Sequence, residues 1–198
     1  MGCVKLIDRR MTVEEYFELD EQSDIRYEYF NGEMYPMADD TLNHNEIVSN
    51  IRAAFSSFFR PRGCRAFSET IKLKASDVYY AYPDVMVTCA SSDLSGSYIV
   101  EHPSIVVGVV SKTSEHTDRV FKLKEYKRVT SLKYYLLVEQ NDYRVELYSR
   151  LEQTDLWTYH TFNNPTDLVR LDAFDFEMSL EAIYENIEFM PEEFAPEE

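Results

Sequence analysis

A short, uninterrupted run of apolar residues near the middle of the chain constrains the fold most. Residues 104–110 read Ser-Ile-Val-Val-Gly-Val-Val, without the alternation of apolar and polar side chains that marks a strand with one solvated face. Strands that are apolar throughout are typical of the centre of a sheet whose two faces are both covered. We therefore expect a layered protein built around this strand.

The segments on either side of this strand predict both helices and strands. Thr12-Val13-Glu14-Glu15 is a capping-box pattern and predicts a short helix. Asn31-Gly32 between two alternating runs predicts a β-hairpin, and apolar residues at helical spacing predict a helix over residues 43–59. Further strands are predicted at residues 64–74, 83–89, 134–138, 143–148, 157–162 and 168–171, and further helices from Thr113 or Thr117 to about Val129 and after Ser179. Because strands and helices do not alternate regularly, this order disfavours a doubly wound fold and favours an α+β one.

The distribution of charge bears on the class of partner. The formal net charge is −16, which by itself disfavours binding to nucleic acid, a strong polyanion. Residues 171–198 contribute −10 of this charge, so residues 1–170 carry only −6. Basic residues concentrate at 52–74, with six Lys or Arg against one acid, and at 112–133, with seven against three. A basic face for nucleic acid and an ordinary solvated surface are both compatible with this pattern.

The cysteines predict neither a zinc site nor a disulfide framework. Cys3, Cys64 and Cys89 are odd in number, far apart and not arranged as CxxC pairs. Cys89 follows an apolar run, so we expect it to be a buried thiol.

Hydropathy predicts a protein without a membrane span. No stretch approaches the ~20 apolar residues that a helix needs to cross a bilayer. Residues 1–10 include charged side chains and no apolar run of signal-peptide length. We therefore expect a cytoplasmic protein with no membrane partner.

Asp84 is the first residue that could carry chemistry. It follows Pro83 at the start of a predicted core strand, where its carboxylate could lie beside an acid on the neighbouring strand at 104–110. Two such carboxylates hold Mg²⁺ through oxygen ligands, and the metal can polarise a phosphodiester and generate the attacking hydroxide. The Pro-Asp dipeptide alone is a weak signal, because it commonly begins an ordinary strand.

Asp118 and Lys122 form a second candidate group. On a helix they lie at positions i and i+4, on the same face as Tyr126. A lysine at the site could neutralise charge that develops on a phosphate. The alternative is a surface ion pair of small energetic effect.

His44, Glu28 and Glu33 form a third candidate group. His44 is near the start of the long predicted helix, and the two glutamates are on the preceding hairpin. The helix start and the hairpin could together form one wall of a cleft. The alternative is that all three residues have structural roles only.

In their order and spacing, these segments resemble a family of putative restriction endonucleases, abundant in cyanobacteria, within the PD-(D/E)XK nuclease superfamily. The matching stretches are Met11-Thr12-Val13-Glu14-Glu15-Tyr16, Arg26-Tyr27-Glu28, Asn31-Gly32-Glu33, His44, Pro83-Asp84-Val85, residues 103–107, Ser111, Thr113, Asp118-Arg119, Lys122, Tyr126, Ser131-Leu132-Lys133 and residues 135–138. Each motif is weak alone, and the resemblance rests on their combination over roughly residues 11–190.

The resemblance implies a restriction-endonuclease-like α+β core, a mixed β-sheet flanked by helices, with a metal site on the strands. It implies one nuclease domain over residues 1–190, and residues 191–198 then form an acidic tail. Carried over residue by residue, Asp84 is the expected ligand of Mg²⁺ or Mn²⁺. Lys122 takes the place of the lysine that many members carry two residues after the second acid, and Glu33 and His44 match positions that line the same cleft.

Gly108 departs from the family pattern. That pattern in the central strand is apolar-apolar-Glu-Val, whereas this chain has Val106-Val107-Gly108-Val109. The second metal-binding carboxylate is therefore missing, which should weaken the binding of a metal that relies on few protein ligands. Glu69, Glu101 or Glu115 could substitute for it.

Two hypotheses for the function remain open. The first is a metal-dependent endonuclease that hydrolyses the phosphodiesters of nucleic acid, with DNA as the expected partner, and that Gly108 impairs. The second is a catalytically inactive nuclease-fold domain that binds nucleic acid or a protein. By analogy with restriction enzymes acting on two-fold symmetric duplex sites, a homodimer is a further expectation.

Overall fold

The computed structural model describes residues 9–37, 41–68, 70–95, 98–111, 114, 116–152 and 154–189. Its α-helices are α1 (Val13–Gln22), α2 (Leu42–Phe59), α3 (Leu123–Tyr126) and α4 (Leu180–Ile183), and α3 continues a π-helical segment at Thr117–Lys122. Its strands are β1 (Tyr27–Phe30), β2 (Glu33–Pro36), β3 (Arg65–Ser68), β4 (Lys72–Ser76), β5 (Tyr79–Ala81), β6 (Val85–Thr88), β7 (Ile99–Val100), β8 (Pro103–Val110), β9 (Tyr134–Glu139), β10 (Val145–Arg150), β11 (Trp157–Phe162), β12 (Leu168–Leu171) and β13 (Phe176–Ser179).

A six-stranded sheet with the order β11-β10-β9-β8-β6-β3 forms the centre of the molecule. β8, the apolar run of the sequence, lies between β9, to which it is parallel, and β6, to which it is antiparallel. Ile105, Val106 and Val107 in β8 are completely buried. The prediction of a central strand covered on both faces is therefore confirmed.

Different layers cover the two faces of the six-stranded sheet. On one face, Val107 packs with Ile51 of α2 and Leu180 of α4. On the other face, Val106 packs with Tyr126 of α3 and with residues of a second sheet. Mixed sheets flanked by helices make the fold α+β, as predicted.

The second sheet has five strands in the order β2-β1-β5-β4-β7. It contains the predicted hairpin, in which Asn31 and Gly32 have φ angles of 47° and 89°, the positive values that the tight turn needs. The single strand predicted at residues 64–74 is wrong, because the segment divides between two sheets. β3 pairs with β6 in the central sheet, whereas β4 pairs with β5 in the second sheet.

Side-chain caps fix where the helices begin. Thr12 and Glu15 exchange hydrogen bonds with each other's backbone N–H groups, which is the predicted capping box of α1. The hydroxyl of Thr41 accepts a hydrogen bond from the N–H of His44 at the start of α2. Ser179 caps α4, as predicted.

The structure contradicts both the prediction against disulfides and the expectation that Cys89 is a buried thiol. Cys64 and Cys89 form a disulfide, with Cα atoms 4.1 Å apart, and Cys89 is exposed. The ladder between β3 and β6 pairs Arg65 with Thr88, so the two cysteines are the next opposed residues along it. Their separation of 25 residues carried no signal in the sequence, because only the pairing of the strands brings them together.

Some sequence expectations fall outside the described residues. The acidic tail predicted at residues 191–198 lies there, and so do Glu69 and Glu115, two of the acids considered as substitutes for a missing carboxylate. Within the residues that are described, no helix is long and apolar enough to cross a membrane.

Candidate active site

Asp84 lies immediately before β6 and is positioned by the ladder between β6 and β8. The register pairs Val85 with Val107, which places Asp84 opposite Gly108. Its Oδ2 accepts a hydrogen bond from the backbone N–H of Val109 at 2.5 Å. The carboxylate is therefore fixed against the central strand, beside the position where the family pattern has its second acid.

His44 reaches Asp84 from the first turn of α2. Its Nε2 lies 3.4 Å from Oδ1 of Asp84, and the two side chains are only 10% and 17% exposed. The cap that Thr41 provides fixes the backbone of this turn and so the direction in which His44 points. The structure therefore brings together two of the residues singled out in the sequence.

Gly108 presents a bare backbone to the layer formed by the second sheet and α3. Val106 and Val110, at alternate positions along β8, pack into that layer, so a side chain at position 108 would enter it as well. A Cβ atom at Gly108 would lie 3.3 Å from Cδ2 of Leu137 and 3.5 Å from the hydroxyl oxygen of Tyr135. The φ angle of Gly108 is not positive, so the backbone conformation does not require glycine there.

Lys122 lies in a buried cluster of charges on the same side of the sheet. Its Nζ is 3.0 Å from Oε1 of Glu28 in β1 and 3.2 Å from Oδ1 of Asp118. Burial alone would lower the pKa of the ammonium, but the two carboxylates, followed by Tyr126 and Tyr79, outweigh burial and raise the pKa well above its usual value. Lys122 is therefore charged at any physiological pH.

The segment that carries Lys122 differs from the regular helix predicted by the sequence. Asp118 and Lys122 pair as predicted, but the pair is buried and the segment is π-helical rather than α-helical. Arg119 fixes this segment to the central sheet, because its guanidinium donates hydrogen bonds to Glu139 of β9 and Glu146 of β10. π-helical turns are rare and often occur at functional sites.

Tyr135 connects the Asp84 side of the site to the Lys122 side. Its hydroxyl lies next to the open position at Gly108 and donates a hydrogen bond of 3.4 Å to the carbonyl oxygen of Asp118. Burial, followed by the negative charge of Asp118, raises the pKa of Tyr135 well above its usual value, so the phenol stays neutral. Asp84, Gly108 and the Lys122 cluster consequently form one site.

Comparison with known proteins identifies the family. The Uma2 model, described as a putative restriction endonuclease, matches residues 13–182. The chain belongs to this family. Two relatives come from Synechocystis sp. Uncharacterized protein slr1290 is 26% identical over 181 residues, covering 91% of this chain and 94% of the relative. Uncharacterized protein sll1609 is 30% identical over 144 residues, covering 71% and 81%.

A solved structure has the same fold as this Uma2 protein. The crystal structure of a putative nuclease belonging to DUF820 from Anabaena variabilis matches with a TM-score of 0.73 at 19% identity. The match covers 88% of this chain and 97% of that one. The restriction-endonuclease-like fold that the resemblance implied is therefore confirmed.

Glu28, rather than Glu33, is the hairpin acid of the Uma2 site that contacts Lys122. The register of β1 and β2 places Glu33 on the same face of the hairpin as Glu28, and its Oε2 accepts a hydrogen bond of 2.7 Å from the hydroxyl of Tyr35. Sequence analysis placed Glu28 on the hairpin without predicting this contact. The signal was the alternation in β1, where Tyr27 and Tyr29 are buried on the opposite face.

The described residues of this Uma2 site do not amount to a metal centre. Among them, no three His, Cys, Asp or Glu side chains are grouped so that they could hold a metal ion. Asp84 supplies a carboxylate, and the opposed Gly108 supplies none. Glu101, considered above as a substitute, lies instead 3.7 Å from Nζ of Lys74 and is 53% exposed.

Proposed function

We propose that this Uma2 protein is an impaired metal-dependent endonuclease. Its substrate is nucleic acid, with DNA as the favoured class, and its centre for phosphodiester hydrolysis is disabled at Gly108. The observation that carries the proposal is the pairing of Asp84 with Gly108 across β6 and β8. One carboxylate is held in place while the opposed position has no side chain, so Mg²⁺ or Mn²⁺ binds weakly.

The surrounding charges support an impaired site. Phosphodiester hydrolysis requires positive charge where negative charge develops on the phosphate. Lys122 is the cation at this site, but Glu28 and Asp118 already balance its charge. Lys122 alone therefore cannot stand in for a metal, and His44 serves to position the carboxylate of Asp84.

A plasmid-nicking assay tests the proposal. We would incubate supercoiled plasmid and Mn²⁺ or Mg²⁺ with the unchanged chain, with Asp84→Ala, with Gly108→Glu, and with Gly108→Glu combined with Asp84→Ala. The new Cβ meets the flexible end of Leu137 at 3.3 Å, so a shift of a few tenths of an ångström accommodates it. We expect nicking by Gly108→Glu alone.

The matched control is Gly108→Gln, which has the shape of the restored side chain without its charge and should not nick. If the unchanged chain nicks the plasmid and Asp84→Ala does not, another acid supplies the missing metal ligand and the centre is not impaired. A folded Gly108→Glu that binds Mn²⁺ no better than the unchanged chain and leaves the plasmid intact would refute the proposal. Circular dichroism and thermal unfolding establish that each variant is folded.

A second candidate is a catalytically inactive nuclease-fold domain that binds nucleic acid or a protein. The absence of three grouped metal ligands among the described residues favours it. It predicts no nicking by Gly108→Glu, together with salt-sensitive DNA binding by the unchanged chain if nucleic acid is the partner. Sedimentation with and without duplex DNA tests the accompanying expectation of a homodimer.

A further inference from the structure

The outer strands of the central sheet carry three aromatic side chains on one face. β11 is the edge strand and pairs with β10 in a register that opposes Tyr148 to Tyr159 and Arg150 to Trp157. Directly opposed residues of an antiparallel pair project from the same face of the sheet. We call Tyr148, Tyr159 and Trp157 the aromatic shelf.

The inner side of the aromatic shelf is anchored in the core and its outer side is open. Tyr148 and Trp157 pack against the core cluster that includes Tyr126 and Tyr135, which holds their rings in place. The rings of Tyr148 and Tyr159 have centroids 5.0 Å apart, and Tyr159 is 50% exposed. The shelf is therefore a preformed aromatic surface at the edge of the sheet.

Cations lie directly over the aromatic shelf. Nζ of Lys127, just after α3, is 5.9 Å from the ring centroids of both Tyr148 and Trp157. The guanidinium of Arg150 lies 4.7 Å from the centroid of Trp157. Three backbone carbonyl groups accept hydrogen bonds from Arg150, so it is a fixed part of the surface. Of these two cations, Lys127 is therefore the one whose ammonium group can contact a ligand.

Two more basic residues continue this positive surface along the chain. Lys124 in α3 is exposed, and the side chain of Arg128 is 62% exposed, although Glu125 pairs with it at 2.8 Å. Asp155 is the opposing charge, fully exposed, and it lies 3.5 Å from Nη1 of Arg150. Along the chain beside Lys127, basic residues therefore outnumber acidic ones.

We propose that the aromatic shelf binds single-stranded nucleic acid, with bases stacked on Tyr159 and Trp157 and phosphates beside Lys127. Aromatic rings next to a basic track are what sequence-tolerant single-strand binding requires, because every base has a π-face and every linkage has a charge. A purely apolar partner would instead bury the charge of Lys127 without a counter-ion, which is costly.

This inference goes beyond the proposed endonuclease function and does not depend on hydrolysis. The shelf lies on β10 and β11, whereas Asp84 and Gly108 lie on the other side of β9 in the same sheet. Binding at the shelf can therefore be measured in a protein that cleaves nothing. Failure of the nicking assay and failure of the binding assay are separate results.

The shelf contains its own reporter, because Trp157 is the single tryptophan of the chain. We would titrate the full chain with a short oligothymidylate, with the corresponding oligouridylate and with a blunt duplex, and follow tryptophan emission. Stacking of a base on Trp157 should quench the emission and shift it. We expect both single strands to quench the emission and the duplex to quench it less. The midpoints of the two single-strand titrations give the affinities for DNA and for RNA.

Tyr159 and Asp155 are exposed and Lys127 is half-buried, so the fold should persist in all three variants. Tyr159→Ala should weaken binding by between about fivefold and 150-fold, since stacking on one aromatic is worth about 1–3 kcal/mol. Lys127→Gln should reduce the slope of log affinity against log salt by about 0.7, the value for one phosphate contact on a single strand. Asp155→Asn should tighten binding, because it removes the opposing charge.

Matched controls come from elsewhere on the surface. Tyr98→Ala removes a tyrosine that is 79% exposed but lies outside the shelf. Lys133→Gln removes an exposed lysine that lies 5.3 Å from the ring centroid of Phe174, a residue of the opposite face. Neither control should alter binding. Absence of quenching in the unchanged chain, or affinities that Tyr159→Ala and Lys127→Gln leave unchanged, would overturn the proposal.

Discussion

Replacing Lys122 with methionine should remove a large share of the stability of the fold. The lysine side chain is 19% exposed and holds the carboxylates of Glu28 and Asp118, which are 15% and 7% exposed, at 3.0 Å and 3.2 Å. Methionine fills a similar volume, so the principal loss is the cation that the two buried carboxylates share. Removing one partner of a buried ion pair costs about 3–5 kcal/mol, compared with a total stability of about 5–15 kcal/mol for a typical domain.

Urea denaturation followed by circular dichroism measures this loss. With a slope of about 2 kcal/mol per molar urea, the unfolding midpoint of Lys122→Met should fall by roughly 2 M. Lys124→Met is the matched control, because Lys124 is exposed and lies only two residues further along the chain, in α3. Its free energy of unfolding should change by less than about 0.5 kcal/mol.

The pH dependence provides a second check of the same reasoning. In the unchanged protein the pKa of Lys122 is raised, so its contribution to stability is fully present below the usual lysine pKa and is lost only as the pH rises through the higher folded-state value. Lys122→Met has no ammonium to lose, so its stability deficit should narrow as the pH rises through that folded-state pKa. Equal losses in Lys122→Met and Lys124→Met, or a deficit that stays constant with pH, would refute the argument.

Two further predictions concern the segment that follows β6, at the end of this strand away from Asp84. Burial would raise the pKa of Asp93, but hydrogen bonds from two side chains and two backbone N–H groups outweigh burial and lower the pKa below its usual 3.8. Its stabilising effect should be present above that value and be lost as the pH falls further, and Asp93→Asn should cost about 1–3 kcal/mol at neutral pH in thermal unfolding. Reduction of Cys64–Cys89, which closes a loop of 25 residues, should cost about 3 kcal/mol in urea denaturation. Three reactive thiols in the folded, unreduced protein would contradict that pairing.

Local chemistry was sufficient to predict the elements that neighbouring residues determine. The capping box at Thr12 fixed the start of α1, and Asn31-Gly32 fixed the turn between β1 and β2 because both residues adopt positive φ. The apolar run of β8 predicted a buried central strand without any knowledge of its partners. The capping box and the turn depend on contacts within a few residues, and the buried strand was recognised from its own lack of polar side chains.

Long-range pairing determined what the sequence could not predict. β5 and β7 have three and two residues, too few to show a period, and they form only because longer strands pair with them. For the site, the sequence singled out Asp84, His44 and Lys122. It did not predict that Glu28 would bind Lys122, because that contact depends on how the second sheet packs against the π-helical segment.

The charges within the site disfavour the approach of a polyanion such as nucleic acid. Lys122 is matched by Glu28 and Asp118, and Asp84 adds a further negative charge, so the site by itself repels phosphate. The overall charge of −16 adds to that repulsion. Any attraction of nucleic acid therefore has to come from cations outside the site. Lys127 lies five positions beyond Lys122, just after α3 and over the aromatic shelf. This short stretch of chain therefore carries one lysine whose charge is neutralised inside the site and another that is available to phosphate outside it. Lys127 could then hold a strand of nucleic acid although the site itself carries no net positive charge.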